Sequence, residues 1–137
     1  RPFIRRQPET GGRHEIEIWG DGEQTRSFMF IDDCLHGIRL LMESDIAQPI
    51  NIGSAEMVTI NQLVDLTEEL AGVKLERNYK LDAPKGVRGR SSDNTFTKTQ
   101  LGWEPSTPLQ IGLEKTYTWI FDQMKNSRSS GRIVNRF

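Results

Sequence analysis

The spacing of the apolar residues changes repeatedly along this chain, and this pattern limits the fold. In His14–Trp19, Ile16 and Ile18 alternate with polar residues, as in a strand with one buried face. In 63–70 the apolar residues follow helical spacing instead. Because strand patterns and helix patterns alternate several times, we predict a mixed α/β fold.

Capping and turn residues give the predicted boundaries of these elements. Thr59 and Gln62 have the spacing of a helix capping box, and Thr107 and Gln110 repeat it. We predict strands at His14–Trp19, Arg26–Ile31, Pro49–Gly53 and Leu75–Lys80. We predict helices at Pro2–Gln7, from Asp32 or Asp33 to Glu43, from Thr59 to Gly72, from Asp93 to Gly102, and from Thr107 to Met124. We expect a loop at 81–92, one structured part over 1–126, and a polar tail at 127–137.

The composition argues against several classes of partner. There are 18 basic and 19 acidic residues, and the net charge of −1 does not favour binding to nucleic acid or to a membrane surface. No apolar run approaches the roughly 20 residues of a membrane-spanning helix. The single cysteine, Cys34, excludes an intramolecular disulfide, so we predict a buried thiol and a cytoplasmic location.

Several kinds of reaction centre are not supported by the sequence. Gly86-x-x-Gly89 lies in a polar loop, whereas a dinucleotide site needs a glycine turn between a strand and a helix. Neither Tyr79 nor Tyr117 has a lysine four residues later, the spacing of an acid–base pair in short-chain dehydrogenases. His14 and His36 are isolated, so no metal site is predicted.

Two segments place arginine beside glycine. Arg26 follows the turn in Trp19–Phe28, and Arg88 and Arg90 lie in Gly86–Asn94. A guanidinium has a planar fork that matches phosphate oxygens, and glycine lets a backbone approach a ligand closely. Two interpretations are open for each segment: a solvated basic loop, or part of a phosphate-binding site.

Taken in order, these motifs resemble a known family. The segments Gly20–Phe28, Ile31–Asp33, Ile50–Ser54 and Leu101–Pro105 occur in the order found in the C-terminal half of extended short-chain dehydrogenase/reductases that act on nucleotide sugars. Met57-Val58, Gly86–Asn94 and Tyr117-x-Trp119-Ile120 are most similar to the GDP-mannose 3,5-epimerase branch of that family.

The resemblance implies roles for particular residues. Arg88 matches an arginine that contacts the nucleotide diphosphate, and Arg26 matches another near the phosphates. Gly22, Glu23 and Gln24 match a stretch that lines the substrate. Phe137 is near a position where the epimerases have a substrate-contacting tyrosine. Cys34 does not match the family's catalytic cysteine.

The resemblance also implies what the chain lacks. In this family a Rossmann domain binds NAD, and a Tyr and Lys pair oxidises the sugar to a transient 4-keto form before epimerisation. We expect those groups upstream of Arg1, with no catalytic, cofactor-binding or metal residue in this chain, which is then the substrate-binding lobe. Residues 33–53 are expected to pack on the Rossmann domain, and the enzyme to be a homodimer acting on GDP-mannose.

Alternatives stay open at this point. They are a non-catalytic module that binds sugar nucleotides; a dehydratase, epimerase or decarboxylase of dTDP- or UDP-sugars; and, least favoured by the charge, a nucleic-acid-binding domain.

Overall fold

The computed structural model describes residues 14–84 and 86–129, and it confirms the mixed α/β class. The strands are β1 Glu15–Trp19, β2 Thr25–Ser27, β3 Met57–Thr59, β4 Glu76–Lys80 and β5 Gly89–Arg90. The helices are α1 Ile31–Met42, α2 Ile60–Ala71, α3 Thr95–Leu101 and α4 Leu109–Ser129. The helix predicted at Pro2–Gln7, Phe137 and most of the predicted tail lie outside the described residues.

The first sheet pairs β1 with β4 in parallel, with Ile18 opposite Tyr79. The predicted burial of one strand face is confirmed, because Ile16 is half-buried and Ile18 is only 2% exposed. Backbone bonds from Glu76 to His14 and from Gly20 to Lys80 extend the pairing at both ends.

The second sheet has the order β3-β2-β5, with β2 antiparallel to β3 and parallel to β5. The prediction of a strand at Arg26–Ile31 was wrong beyond Ser27. Strand β2 is short because its partners β3 and β5 are only three and two residues long. Phe30 instead packs against Gly112 of α4, where an added Cβ would lie 3.1 Å from the ring. The predicted loop at 81–92 likewise contains a strand, β5.

The strand predicted at Pro49–Gly53 does not form in the structure. Side chains in α3 and just before it donate hydrogen bonds to backbone carbonyl groups in this segment, which would otherwise bond to a neighbouring strand. Thr97 Oγ1 donates to the carbonyl of Asn51 at 2.6 Å, and Asn94 Nδ2 donates to that of Gly53 at 2.7 Å. The backbone acceptors are thus satisfied without a ladder.

The helix ends confirm some predicted caps and correct others. The capping box of Thr59 and Gln62 is present, and α2 ends at Gly72 in the left-handed conformation. The predicted cap of α1 by an aspartate is wrong: Phe30 is the N-cap, without a side-chain bond. Asp33 Oδ2 instead accepts hydrogen bonds from the backbone N–H groups of Ser106 and Thr107.

Two further helix starts are displaced slightly from their predicted positions. The N-cap of α3 is Asn94, while Asp93 accepts from the N–H of Thr95 at 2.9 Å. Helix α4 begins at Leu109, whose N–H donates to Glu56 Oε2 at 2.8 Å.

The buried hydrophobic core is small. Among the described residues it consists of Ile18, Val64 and Leu109. Many large apolar side chains are exposed, including an apolar stripe along α1 formed by Ile31, Leu35, Ile38 and Met42. No helix in the described ranges combines the length and apolar character needed to cross a membrane.

Candidate functional site

The turn between β1 and β2 lies against the first turn of α2. Gly22 is buried and has φ of 75°. A Cβ at this position would lie 2.2 Å from Asn61 Oδ1, so only glycine fits without displacing Asn61. The N–H of Asn61 donates to the carbonyl of Gly22 at 3.0 Å.

The side chain of Asn61 holds this turn in place. Its Nδ2 donates to the carbonyl of Asp21 at 3.2 Å and to Glu23 Oε1 at 2.6 Å. The Tyr79 hydroxyl donates to Asn61 Oδ1 at 3.0 Å. This role of Asn61 could not be predicted from the sequence, because a residue inside a capping box carries no signal of contacts with distant residues.

Gln24 lies beneath the turn and is 9% exposed. Its Nε2 donates to the carbonyl of Trp19 at 2.7 Å. Its Oε1 is buried and has no hydrogen-bond donor among the described residues. A buried acceptor without a donor is energetically unfavourable.

The pairing of β2 with β5 brings the two arginine segments together. The N–H of Thr25 donates to the carbonyl of Arg88 at 2.8 Å, and Arg26 is the register partner of Arg90. A Cβ at Gly89 would lie 2.6 Å from Thr25 Oγ1, so glycine permits this close approach.

The three arginines differ in their surroundings. Arg26 is half-buried, and its Nη1 donates to the carbonyl of Thr25 at 2.7 Å. The Arg88 side chain is 79% exposed, with Nη1 3.7 Å from Asp21 Oδ2. Arg90 is exposed. Just beyond this loop, hydrogen bonds from Thr95 hold the pKa of Asp93 below its ordinary value.

Other predicted features lie elsewhere in the structure. Cys34 is half-buried in α1. In the part of the chain that the structure describes, no group of three His, Cys, Asp or Glu residues could hold a metal ion. A shallow hollow lined by residues 45–48, Phe96 and Gln100 contains none of the predicted site residues.

Within the described residues, Gly86 and Gly89 do not form the glycine turn of a dinucleotide-binding site. Gly89 belongs to β5 and faces Thr25, so its missing side chain serves strand pairing and not the approach of a pyrophosphate. The next helix, α3, begins only at Thr95, so no glycine turn joins β5 directly to a helix.

Comparison with known proteins identifies the family. A family model described as GDP-mannose 4,6 dehydratase matches residues 5–116, which is most of the chain. The chain belongs to the GDP-mannose 4,6 dehydratase family. This confirms the resemblance to extended short-chain dehydrogenase/reductases that act on nucleotide sugars.

Similar proteins match the chain over part of their own length. It is 44% identical over 122 residues to GDP-mannose 3,5-epimerase of Arabidopsis thaliana, covering 89% of this chain and 32% of that protein. It is 31% identical over 116 residues to UDP-glucuronic acid decarboxylase 1 of Xenopus tropicalis, covering 85% and 28%. The chain therefore spans about a third of the length of these relatives.

Solved structures of similar enzymes share the fold. UDP-glucose 4-epimerase of Thermotoga maritima, with UDP-glucose, has a TM-score of 0.76 and 35% identity, covering 81% of this chain and 36% of that one. UDP-glucuronic acid 4-epimerase from Bacillus cereus, with UDP-glucuronic acid and NAD, has a TM-score of 0.73 and 31% identity, covering 80% and 36%. The predicted relation to Rossmann-type enzymes is thereby confirmed at the level of fold.

Proposed function

We propose that this chain forms the nucleotide-sugar-binding part of an NAD-dependent enzyme that epimerises GDP-mannose at C3 and C5. The observation that carries the proposal is the pairing of β2 with β5, which puts Arg26 and Arg88 beside the turn that contains Gly22. Support for GDP-mannose comes from the identity to the Arabidopsis epimerase, which is 44% against 31% for the Xenopus decarboxylase.

The proposed binding mode follows from the chemistry of these side chains. Arg88 is exposed and its guanidinium can form two parallel bonds to phosphate oxygens, so it binds the diphosphate. Arg26 adds a second positive charge from the neighbouring strand. Gln24 is buried beneath the turn and supports the stretch that would line the substrate, while Glu23 is exposed at the rim.

The cofactor and the reacting groups are proposed to come from the rest of the enzyme. NAD is present in structures of related enzymes, whereas Gly86 and Gly89 of this chain do not form a dinucleotide-binding turn. Residues 33–53 would pack on the cofactor domain, which would cover the apolar stripe of α1. We also propose that the enzyme is a homodimer. We propose a cytoplasmic location, because the single cysteine, Cys34, suits a reducing compartment.

The test is the affinity of the intact enzyme for GDP-mannose, measured by titration calorimetry with Arg88→Ala. We expect a loss of roughly 1.5–3 kcal/mol, the contribution of a charge-assisted hydrogen bond. Lys98→Ala is the control, because it removes one positive charge that is paired with Glu104 and not with a residue of the proposed site. Unchanged binding by Arg88→Ala would remove that arginine from the site.

A second candidate is a UDP-sugar enzyme, which the structural similarity to two UDP-sugar epimerases favours. Competition between GDP-mannose and UDP-glucose for the wild-type enzyme separates the two. Tighter binding of UDP-glucose would replace GDP-mannose as the proposed substrate and leave the diphosphate site in place.

A further inference from the structure

The side-chain amide of Asn61 joins three elements of the fold. It lies in the first turn of α2, and its Nδ2 donates to Glu23 Oε1 in the turn before β2. On the other side, its Oδ1 accepts a hydrogen bond from the hydroxyl of Tyr79, which belongs to β4. A carboxylate only accepts hydrogen bonds, so Nδ2 has to face Glu23, and the amide is held in one orientation from both sides.

Glu23 is exposed and is nevertheless held in place at two points. Its N–H donates to Asp21 Oδ1 at 3.0 Å, and its Oε1 lies 2.6 Å from Asn61 Nδ2. In the part of the chain that the structure describes, Oε1 is the only oxygen of this carboxylate that accepts a hydrogen bond. An exposed glutamate usually loses rotamer freedom when it binds a ligand, whereas this one is already ordered before a ligand binds.

The surroundings of Glu23 limit what its second oxygen can bind. A carboxylate repels phosphate groups and accepts hydrogen bonds from neutral hydroxyl groups. Arg88 Nη1 lies 3.7 Å from Asp21 Oδ2, so Glu23 is in the same turn as the partner of the proposed diphosphate-binding arginine. In a nucleotide sugar, the hydroxyl groups nearest the diphosphate belong to the ribose on one side and to the hexose on the other.

We propose that Asn61 is a positioning residue, which holds the Glu23 carboxylate so that Oε2 accepts a hydrogen bond from a ribose or hexose hydroxyl of the nucleotide sugar. The inference rests on the proposed function and adds to it a contact that distinguishes ligands with these hydroxyl groups from ligands without them. Tyr79 supports the contact indirectly, because its hydroxyl keeps the amide oxygen of Asn61 away from Glu23.

The test exchanges the polarity of the contact between Asn61 and Glu23 in the intact enzyme. Asn61→Asp keeps the shape and still accepts from Tyr79, but it puts a second carboxylate against Glu23, so that the two repel each other. Glu23→Gln combined with Asn61→Asp should restore the contact, because the glutamine amide donates to the new carboxylate. Gln110→Glu is the matched control, since it makes the same change from amide to carboxylate at an exposed position on α4.

Calorimetry measures the binding of GDP-mannose, GDP and 2′,3′-dideoxy-GDP, or of the matching UDP series if the wild-type enzyme prefers UDP-glucose. We expect Asn61→Asp to weaken binding of GDP-mannose about tenfold to a hundredfold, and to bind dideoxy-GDP within about threefold of wild type. The double variant should bind as tightly as Glu23→Gln alone. A loss for GDP as well identifies the ribose as the source of the hydroxyl, and a loss for GDP-mannose alone identifies the hexose.

The outcomes separate this inference from the proposed function. Equal losses for all three ligands in Asn61→Asp would overturn the positioning role, since a general disturbance of the turn weakens every ligand alike. Wild-type affinity in Asn61→Asp, or a double variant that binds no better than Asn61→Asp, would overturn it too. In each of these cases a loss in Arg88→Ala would leave the proposed function intact, whereas a wild-type enzyme that binds no ligand of either series would overturn both.

Tyr79→Phe gives a milder second variant, because it removes only the hydroxyl that fixes the amide of Asn61. It should weaken the same ligands as Asn61→Asp by a smaller factor. If Asn61→Asp does not fold, unchanged binding of GDP-mannose by Tyr79→Phe would overturn the inference.

Discussion

At the residue scale, the buried carboxylate of Glu68 joins α2 to β4. Lys74 Nζ lies 2.5 Å from Glu68 Oε2, Arg77 Nη2 lies 3.2 Å from the same oxygen, and the N–H of Leu75 donates to Oε1 at 3.0 Å. The hydrogen bond from Lys74 is the largest cause that holds the pKa of Glu68 below its ordinary value, and burial opposes it. Arg77 also pairs with Asp65, which raises the pKa of Arg77.

This network predicts how stability depends on pH. Because the pKa of Glu68 is lower in the folded state, its contribution is present above the unfolded value of roughly 4.3 and is lost as the pH falls through the folded value. Glu68→Gln should lower the free energy of unfolding by about 1.5–3 kcal/mol at pH 7. Urea unfolding from pH 7 to pH 3 measures both effects. The exposed neighbour Glu69→Gln is the control, and a loss for Glu68→Gln that is the same at every pH would contradict the prediction.

The contact between Gly89 and Thr25 gives a second prediction at this scale. Gly89→Ala would place a methyl group 2.6 Å from Thr25 Oγ1, so β5 must move away from β2. We expect destabilisation by about 1–3 kcal/mol and weaker nucleotide binding, because Arg88 moves with the strand. Thr25→Ala removes the clashing atom, so the double variant should recover most of both losses. Equal losses in the single and the double variant would show that the contact is not the cause.

At the element scale, α1 has two apolar faces, and only one of them is covered. On the covered face, a Cβ at Gly37 would lie 2.6 Å from the ring of Trp103. The apolar stripe on the other face is exposed, up to 81% at Met42. Burying a side chain of this size contributes about 1.5–3 kcal/mol, so the stripe favours association with another surface.

The stripe predicts that the isolated chain of 137 residues associates or is unstable. Sedimentation measures this directly, and a double variant, Leu35→Ser with Met42→Ser, should shift the chain towards monomer. Val87→Ser is the matched control, because Val87 is also exposed but lies outside α1. A stable wild-type monomer would show that the stripe does not need a partner.

Elements set by local interactions were predicted well, and those that depend on distant pairing were not. The start and end of α2 follow from Thr59, Gln62 and Gly72, whose contacts lie within the helix itself. The strand predicted at Pro49–Gly53 does not form. A strand needs a neighbouring strand to pair with, and the local sequence does not show whether one is present. Asp33 was expected to cap α1 but contacts residues more than 70 positions later.

At the scale of the whole molecule, the candidate site is assembled from three separate parts of the chain. They are the turn before β2, the first turn of α2, and β5. The sequence motifs pointed to the turn before β2 and to β5, because both segments contain glycine close to arginine. Sequence alone could not show that Asn61 holds the turn, which depends on how α2 packs, or that Arg90 lies opposite Arg26, which depends on sheet register.

Strand β2 has an antiparallel neighbour, β3, and a parallel neighbour, β5, and the two pairings close loops of different length. Along the chain, Arg26 is about twice as far from its partner Arg90 as from its partner Val58. Closing the longer loop costs about 0.6 kcal/mol more entropy, and β5 recovers it with only two paired residues. We therefore expect β5 to form last in its sheet and to open first, so that Arg90 comes opposite Arg26 late in folding.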